Sequence, residues 1–156
     1  MVDKTYMRKI LVAVDGSPAS KKAAAHAILL AKLGGGELVF IHVIEEIKMA
    51  GVIGARAKYG DVKLVEGYHR ARKESALQWM GPFEEQAKSQ GIKAKSEILL
   101  DTGESVTGVI SDYAQKNNVD LVVVGTRGLS KFKRLLVGSV ASGVSSHVHS
   151  PVLIVR

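Results

Sequence analysis

Five short apolar runs alternate with segments of helical period along this chain, and that alternation limits the possible folds more than any other feature. The apolar runs predict strands over residues 8–14, 37–44, 92–100, 121–124 and 151–155. Strands that alternate with helices form a parallel sheet covered by helices. The expected strand order is 3-2-1-4-5, and right-handed connections then place helices on both faces and a switch point between the first and fourth strands. The sequence therefore predicts a Rossmann-like α/β fold with a five-stranded parallel sheet.

The segments between the strands carry recognisable helix start and stop signals. Ser17, which is followed by proline, predicts an N-cap, and Ser105 predicts another. A long helical segment over residues 65–90 is interrupted by Gly81 and Pro82. This pair predicts either a kink or a boundary between two helices, because proline removes a helical hydrogen bond.

The composition is that of an ordinary globular protein, and we expect a single domain over residues 1–156. Hydrophobic residues make up 46% of the chain and charged residues 24%, which excludes a disordered or fibrous protein. Cysteine is absent, so disulfides and thiolate chemistry are excluded. The polar start lacks the hydrophobic core of a signal peptide, and no apolar run could span a bilayer. We therefore expect a cytoplasmic protein without membrane contact.

The net charge of +7 favours an anionic partner. Nucleotides and nucleic acids both meet that description. The lysines and arginines are spread along the chain, aromatic residues make up only 5%, and no known nucleic-acid-binding motif is evident. The sequence therefore favours a nucleotide over a nucleic acid.

A loop bounded by glycines follows the fourth predicted strand and leads into a helix. The sequence GTRG at 125–128 is followed by nine residues and then by Gly138 and Ser139, where apolar residues begin to recur at helical spacing. Glycines let the backbone approach a ligand closely, and the amides at a helix N-terminus attract anions. The loop also carries the cationic side chains of Arg127, Lys131, Lys133 and Arg134. We therefore expect a phosphate group to bind here, with hydroxyl donors from Thr126 and Ser139.

Asp15 ends the first predicted strand, beside the point where the fourth strand ends if the sheet is doubly wound. Ligands bind in that crevice in open α/β sheets. Asp15 could instead cap the helix that it precedes, and the spacing alone favours neither role. In the same way, the glycines could merely end a strand, form a turn and start a helix.

The pattern GTRG, nine residues and GS resembles the ATP-binding signature of the universal stress protein family, in the subgroup that carries nucleotide. The likeness extends to VAVDGS at 12–17, HVI at 42–44, VVVGTRG at 122–128 and SPVLIVR at 150–156. The resemblance implies that the ligand is ATP or another adenine nucleotide, bound together with Mg or Mn. It also implies a stress-response protein that acts through nucleotide-dependent conformation or through partner binding.

The resemblance further implies which residues contact the nucleotide. Val43 is expected to pack against adenine, and Asp15 to line the adenosine pocket. The last strand pairs with its copy in a second subunit in this family, so we expect a homodimer through Val152–Val155. The full set of expected nucleotide contacts is Val14, Asp15, Val43, Val124, Gly125, Thr126, Arg127, Gly128, Gly138, Ser139, Val140 and Ala141.

One position departs from the family pattern. ATP-binding members often have Thr or Ser two residues after the serine of the signature, whereas this chain has Ala141 there and Ser142 one position later. A hydroxyl donor to phosphate is therefore missing at that position. The departure would shift the preference towards a diphosphate or weaken the contact with the terminal phosphate.

The segment 45–68 has little periodicity, and in this fold such an insertion commonly lies over the nucleotide as a flap. Arg56 and Lys58 could reach a phosphate, although a solvated loop is the simpler interpretation. Trp79 falls off the apolar stripe of the next helix, so we expect it to pack under this segment or to face a second subunit. His42 is expected to be a core or edge histidine rather than a ligand.

The sequence contains no dedicated set of residues for catalysis or metal binding. Hydrolysis requires an oriented water, a base and stabilisation of the leaving group, so we expect slow hydrolysis at most. Neither a Walker A motif nor a dinucleotide fingerprint is present, and His147 and His149 would point to different faces of a helix. Two alternatives stay open, namely a nucleotide-free interaction module of the same fold and a basic nucleic-acid-binding protein.

Overall fold

The computed structural model describes residues 7–45, 60–127 and 137–156, in which five strands and four helices alternate. In chain order the elements are β1 (Lys9–Ala13), α1 (Pro18–Gly34), β2 (Glu37–Ile44), α2 (Val62–Ser89), β3 (Ala94–Leu100), α3 (Val106–Lys116), β4 (Leu121–Gly125), α4 (Ser139–His147) and β5 (Val152–Val155). The expected phosphate contacts of Arg56, Lys58, Gly128, Lys131, Lys133 and Arg134 lie outside the described residues.

The five strands form one sheet in the order β3-β2-β1-β4-β5, and every neighbouring pair is parallel. The predicted fold class and strand order are therefore confirmed. Successive residues of a strand point to opposite faces of the sheet. Ile10 and Val12 accordingly belong to a core under α1 and α2, whereas Leu11 lies in a second core under α3 and α4. Helices cover both faces, as the near-continuous apolar strands predicted.

Several strands are shorter than their apolar runs predicted. Strand β1 ends at Ala13, β3 begins at Ala94 rather than at 92, and β5 begins at Val152. The late start of β3 has a local cause, because the amide of Ile92 still donates to the carbonyl of Ala87 at the end of α2. Hydrophobicity predicts burial here but not the residue at which sheet hydrogen bonding begins.

Helix α2 is a single helix over Val62–Ser89 with Pro82 inside it, so of the two predicted alternatives, a kink or a boundary at Gly81 and Pro82, the boundary is wrong. Gly81 has no Cβ to clash with the proline ring, which relieves part of the usual restriction on the residue before proline. Packing on both sides of Pro82 also favours continuity, since Met80 before it is fully buried and the ring of Phe83 after it stacks on Phe40 at 5.9 Å. Although α2 has 28 residues, no helix in the described part of the chain is both long and apolar enough to cross a bilayer.

The predicted N-caps are present at both serines. Ser17 Oγ accepts from the amide of Ser20 at 3.2 Å, and Ser105 Oγ accepts from the amide of Gly108 at 3.1 Å. Ser105 differs in its backbone, which has φ 148° and ψ 158°. This region is almost restricted to glycine, and a side chain there costs about 1–3 kcal/mol. The amides before α3 are held by Asp101, whose Oδ1 accepts from the amide of Ser105 at 3.2 Å.

Replacing Ser105 with glycine should raise the free energy of unfolding by about 1 kcal/mol. Glycine removes the backbone strain, and loss of a serine N-cap to glycine costs only a few tenths of a kcal/mol. Urea denaturation at matched protein concentration would measure the change. Ser105→Pro is the opposite control, because proline fixes φ near −65° and should destabilise the chain. A less stable glycine variant would contradict the assigned strain.

Candidate functional site

A cleft of about 350 Å³ opens where β1 and β4 part, at the carboxyl end of the sheet. Strand β1 leads into α1 on one face, whereas β4 leads towards α4 on the other. The connections therefore diverge and leave a gap between neighbouring strands. This position is the switch point of an open α/β sheet, where such proteins bind ligands.

Every expected contact residue within the described ranges lines this one cleft. They come from the ends of β1, β2 and β4 and from the first turn of α4, and they are Val14, Asp15, Val43, Val124, Gly125, Thr126, Arg127, Gly138, Ser139, Val140 and Ala141. Gly128, the remaining member of the set, lies outside the described residues. The fold thus brings together residues up to 127 positions apart in the sequence, from Val14 to Ala141.

One end of the cleft is apolar. Ile41 and Val43 of β2 face it together with Ala13 of β1 and with Val106 and Ile110 of α3, all of which belong to one cluster of packed residues. Val43 is 9% exposed and Ile110 only 1%, so this wall is part of the second core. Sequence analysis missed Val106 and Ile110 as site residues, although their spacing of four does predict a shared helix face. A flat apolar group could pack on this wall.

The other end of the cleft contains the N-terminus of α4. Its N-cap is Gly138, which has no side chain to accept from the first-turn amides. In contrast, α1, α2 and α3 are capped by Ser17, Asp61 and Ser105. The backbone is held in place, because the amide of Gly138 donates to the carbonyl of Thr126 at 2.6 Å. The first-turn amides and the positive end of the helix dipole therefore lie at the cleft wall.

Asp15 has a structural role as well as a place in the cleft. Its Oδ1 accepts from the amide of Ser17 at 2.9 Å, which fixes the turn between β1 and α1. The N-cap of α1 is Ser17, so the alternative in which Asp15 caps that helix is wrong. Ser20, a buried cleft residue that sequence analysis missed, accepts from the amide of Asp15 at 3.4 Å. The turn thus presents the carboxylate between the two ends of the cleft.

His42 is half-buried and lines the cleft, and its contacts explain the position of Trp79. The two atoms His42 Nδ1 and Val14 O are 2.8 Å apart, so Nδ1 carries the hydrogen and donates. The rings of His42 and Trp79 meet edge to face with centroids 5.1 Å apart. Trp79 also covers Gly16, where an added Cβ would be 3.6 Å from the indole. Trp79 therefore supports the turn that carries Asp15, which neither sequence-based expectation for Trp79 included.

Burial lowers the pKa of His42 below its usual 6.5, and the nearby charge of Arg72 lowers this pKa further. The hydrogen bond to Val14 and the charge of Asp15 act in the opposite direction. The balance favours the neutral ring in the folded protein, because charging a partly buried imidazole costs solvation energy.

The stability contributed by neutral His42 should therefore be fully present above about pH 6.5 and should be lost as the pH falls towards the lower folded-state pKa. In this window the unfolded chain binds a proton that the folded chain resists. Unfolding of the wild type and of His42→Asn, measured from about pH 8 to about pH 5, would test this, since asparagine can still donate to Val14 O. As the pH falls across this window, the free energy of unfolding of the wild type should decrease relative to that of His42→Asn. A pH-independent difference would contradict the assignment.

A larger depression of about 750 Å³ lies at the opposite, amino end of the strands. Two of its four lining cations, Lys9 and Lys93, pair with the carboxylate of Glu37, at 3.5 Å and 2.9 Å. These pairs lower the pKa of Glu37 and keep it ionised. No helix N-terminus lines this depression within the described residues, so it lacks the first-turn amides that the carboxyl-end cleft presents to an anion.

The sheet order and the cleft at the switch point define a doubly wound, Rossmann-like α/β protein. Comparison with known sequences then identifies the family. The sequence model of the universal stress protein family matches residues 7–156, so the chain belongs to that family. It is 33% identical over 150 residues to universal stress protein MJ0531 of Methanocaldococcus jannaschii, covering 96% of this chain and 82% of that protein. It is also 34% identical over 148 residues to universal stress protein YxiE of Bacillus subtilis, and this match covers 95% of this chain and 98% of that protein.

Solved structures share the fold. UspA from Lactobacillus plantarum superposes with a TM-score of 0.81 at 24% identity, over 97% of this chain and 98% of that one. A universal stress protein in complex with cAMP has a TM-score of 0.66 at 21% identity, over 96% and 97% of the two chains. One from Archaeoglobus fulgidus in complex with dAMP has a TM-score of 0.64 at 18% identity, over 97% and 98%. At these identities the likeness establishes the common fold.

Proposed function

We propose that this universal stress protein binds an adenine nucleotide in the carboxyl-end cleft, with ATP as its ligand. The observation that supports this most directly is the joining, in one cleft, of an apolar wall and an α4 N-terminus without a side-chain cap, with Asp15 between them. A nucleotide has the same order of parts, namely an apolar base, a hydroxyl-bearing ribose and an anionic phosphate. The protein would act in stress response through nucleotide-dependent conformation or partner binding, with slow hydrolysis at most.

The dimensions and chemistry of the cleft suit such a ligand. Small-molecule sites usually measure about 300–1,000 Å³, and the volume of about 350 Å³ lies in that range. Adenine would pack on Val43, and the Asp15 carboxylate would accept from ribose hydroxyls. Phosphate oxygens would accept from the first-turn amides of α4 and from the hydroxyls of Thr126 and Ser139. The related structures with bound cAMP and dAMP support an adenine nucleotide as the class of ligand.

The phosphate contacts alone are too weak for useful affinity. Micromolar binding needs about 8 kcal/mol, and a helix N-terminus contributes roughly 0.3–2 kcal/mol towards an anion. Burial of the base against the apolar wall must therefore supply a large part of the free energy. A divalent Mg or Mn ion would enter with the phosphates, because Mg²⁺ typically binds through substrate phosphates and few protein carboxylates.

Ala141 bears on which phosphate chain is preferred. It is 2% exposed in the first turn of α4 and lines the cleft, but it has no hydroxyl to donate. Ser142, one position later, donates its amide to the carbonyl of Gly138. Because this hydroxyl donor is missing, ADP should bind with nearly the same affinity as ATP. Ala141→Ser should raise the affinity for ATP relative to that for ADP.

Mass spectrometry of the ligand released when the purified protein is denatured tests the proposed function. Calorimetric titration with ATP, ADP and AMP, each with and without Mg²⁺, gives the affinities. We expect an adenine nucleotide in the released fraction and micromolar binding. A protein that releases none and shows no heat with any of the three would instead be a nucleotide-free interaction module of the same fold.

We further propose that the protein is a homodimer through β5. This strand pairs with β4 on one side, and no strand in the described part of the chain covers its other side. The backbone carbonyls of Pro151 and Val155 accept hydrogen bonds from amides at and after β4. Backbone groups alternate in direction along a strand, so the amides and carbonyls of Val152 and Ile154 point away from β4, towards the open edge. An uncovered apolar edge strand readily pairs with a copy of itself.

Ile154→Pro should convert the dimer to a monomer, because it removes an outward amide while proline remains tolerable at a sheet edge. Light scattering after size-exclusion chromatography would measure the mass. Ile154→Val, which keeps the amide and the β-branched shape, is the matched control and should stay dimeric. A monomeric wild type, or a dimeric proline variant, would contradict the proposed interface.

A further inference from the structure

Arg72 lines the candidate nucleotide cleft from α2, an element that contributes nothing to the glycine signature. Helices α2 and α4 cover opposite faces of the sheet. Arg72 therefore reaches the cleft from the side opposite the α4 N-terminus. Sequence analysis gave this residue no role.

The guanidinium of Arg72 is held by an aromatic ring. Its Cζ lies 5.5 Å from the centroid of the Tyr68 ring, which is one helical turn earlier in α2. A cation over the face of a tyrosine is attracted by the ring electrons. Stacking occupies one face of the guanidinium and leaves its edge, where the N–H donors lie, available to a ligand.

The charge of Arg72 is effective inside the cleft. It contributes to the lowered pKa of His42 on β2, which lines the same cleft. The other charged groups on the cleft wall are Asp15 in the turn after β1, Glu45 after β2 and Arg127 after β4. Within residues 7–45, 60–127 and 137–156, Arg72 forms no ion pair within 4.0 Å. Its positive charge is therefore not neutralised by a close carboxylate there.

We propose that Arg72 is a specificity-determining residue that contacts a phosphate of the bound nucleotide, and that Tyr68 positions it. This inference rests on the proposed function and deepens it. The cleft would hold its anion from two sides, with main-chain amides of α4 on one and a guanidinium of α2 on the other. An arginine can donate two parallel hydrogen bonds to a phosphate, which gives more selectivity than a single charge. The site would thereby prefer phosphorylated nucleotides to adenosine.

The test compares calorimetric affinities for adenosine, AMP and ATP in the wild type and in Arg72→Gln. We expect the affinity for ATP and AMP to fall roughly tenfold or more, as for loss of a hydrogen bond to a charged group, while adenosine stays within about twofold. Arg70→Gln is the matched control, because Arg70 is exposed on the same helix, as Arg72 is, but does not line the cleft. It removes the same net charge and should change none of the three affinities.

Variants of Tyr68 separate positioning from direct contact. Tyr68→Phe keeps the ring under the guanidinium and should bind ATP like the wild type, whereas Tyr68→Leu should reproduce part of the loss seen in Arg72→Gln. Thermal unfolding would establish that each variant is folded.

Three results would overturn the inference. An Arg72→Gln protein that binds ATP as the wild type does leaves the proposed function intact but removes Arg72 from it. An equal loss for adenosine and ATP would place Arg72 against the base or the ribose instead. A wild type that binds none of the three ligands would refute the proposed function itself, and this inference with it.

Discussion

Replacing Ser139 with proline is expected to leave the fold intact and to weaken binding of phosphorylated nucleotides about tenfold to a hundredfold. Ser139 is the first residue of α4, where proline is favoured because the missing amide has no helical partner. The preceding Gly138 already has φ −69° and ψ 166°, which a following proline permits. The same chain uses this arrangement at α1, where Ser17 has φ −69° and ψ 158° before Pro18.

The expected loss has a simple physical origin. Proline at this position removes one amide donor and one hydroxyl donor from the proposed phosphate site, and a hydrogen bond to a charged group contributes about 1.5–3 kcal/mol. Calorimetry with ATP would measure the change, and thermal unfolding would show an unchanged Tm. Ser139→Ala removes only the hydroxyl, so the difference between the two variants reports on the amide. If the proline variant binds ATP as tightly as the alanine variant, the α4 terminus is not the phosphate site.

Gly125→Ala should lower the free energy of unfolding by about 3 kcal/mol. A Cβ at this position would lie 2.8 Å from the carbonyl carbon of Ala19 and 2.9 Å from the amide of Ser20. These atoms belong to the backbone of α1, so the helix would have to move away from β4. Overpacking a tightly packed interior typically costs about 1–3 kcal/mol, and backbone neighbours place this change at the upper end.

Urea denaturation would measure the loss for Gly125→Ala, and Gly67→Ala is its control. Gly67 lies in α2, where an added Cβ meets no atom within 4 Å, so alanine should stabilise the helix by about 1 kcal/mol. A Gly125→Ala protein as stable as the wild type would show that α1 does not pack as closely on β4 as described.

The behaviour of Gly125 illustrates what sequence analysis could and could not establish. The glycine signature correctly predicted a strand end, a helix start at Ser139 and a common location with Asp15. The signature suggests that Gly125 is glycine for the sake of a phosphate, yet its contact with Ala19 gives an independent packing reason. Close approach between a strand and a helix has no sequence signal of its own, because the neighbour is about a hundred residues away.

Local signals succeeded where the determining contacts are local. The strand 37–44 was predicted at its observed bounds, and the N-caps Ser17 and Ser105 were identified from residue type and position. The alternative of a helix boundary at Pro82 was wrong, because buried Met80 before it and Phe83 after it both pack in the same core and favour one continuous helix. Local propensity is a weak guide when tertiary packing opposes it.

The site residues that were missed share one property, which is that they reach the cleft from elements outside the signature. Arg72 comes from α2 and Ile110 from α3. His42 comes from β2, where only its neighbour Val43 was predicted as a contact. Their side chains converge only after right-handed connections stack helices on both faces of the sheet. A sequence motif can predict that a cleft exists, but not which residues of the neighbouring helices line it.

The edge-to-face contact between Trp79 and His42 gives the protein a built-in optical probe. The sequence contains one tryptophan, so all indole emission originates beside the carboxyl-end cleft. Occupation of the cleft, or protonation of the neighbouring imidazole, should alter that emission without any attached dye. A fluorimeter could therefore follow both events in the unmodified chain, and the same signal could be recorded in stopped-flow experiments.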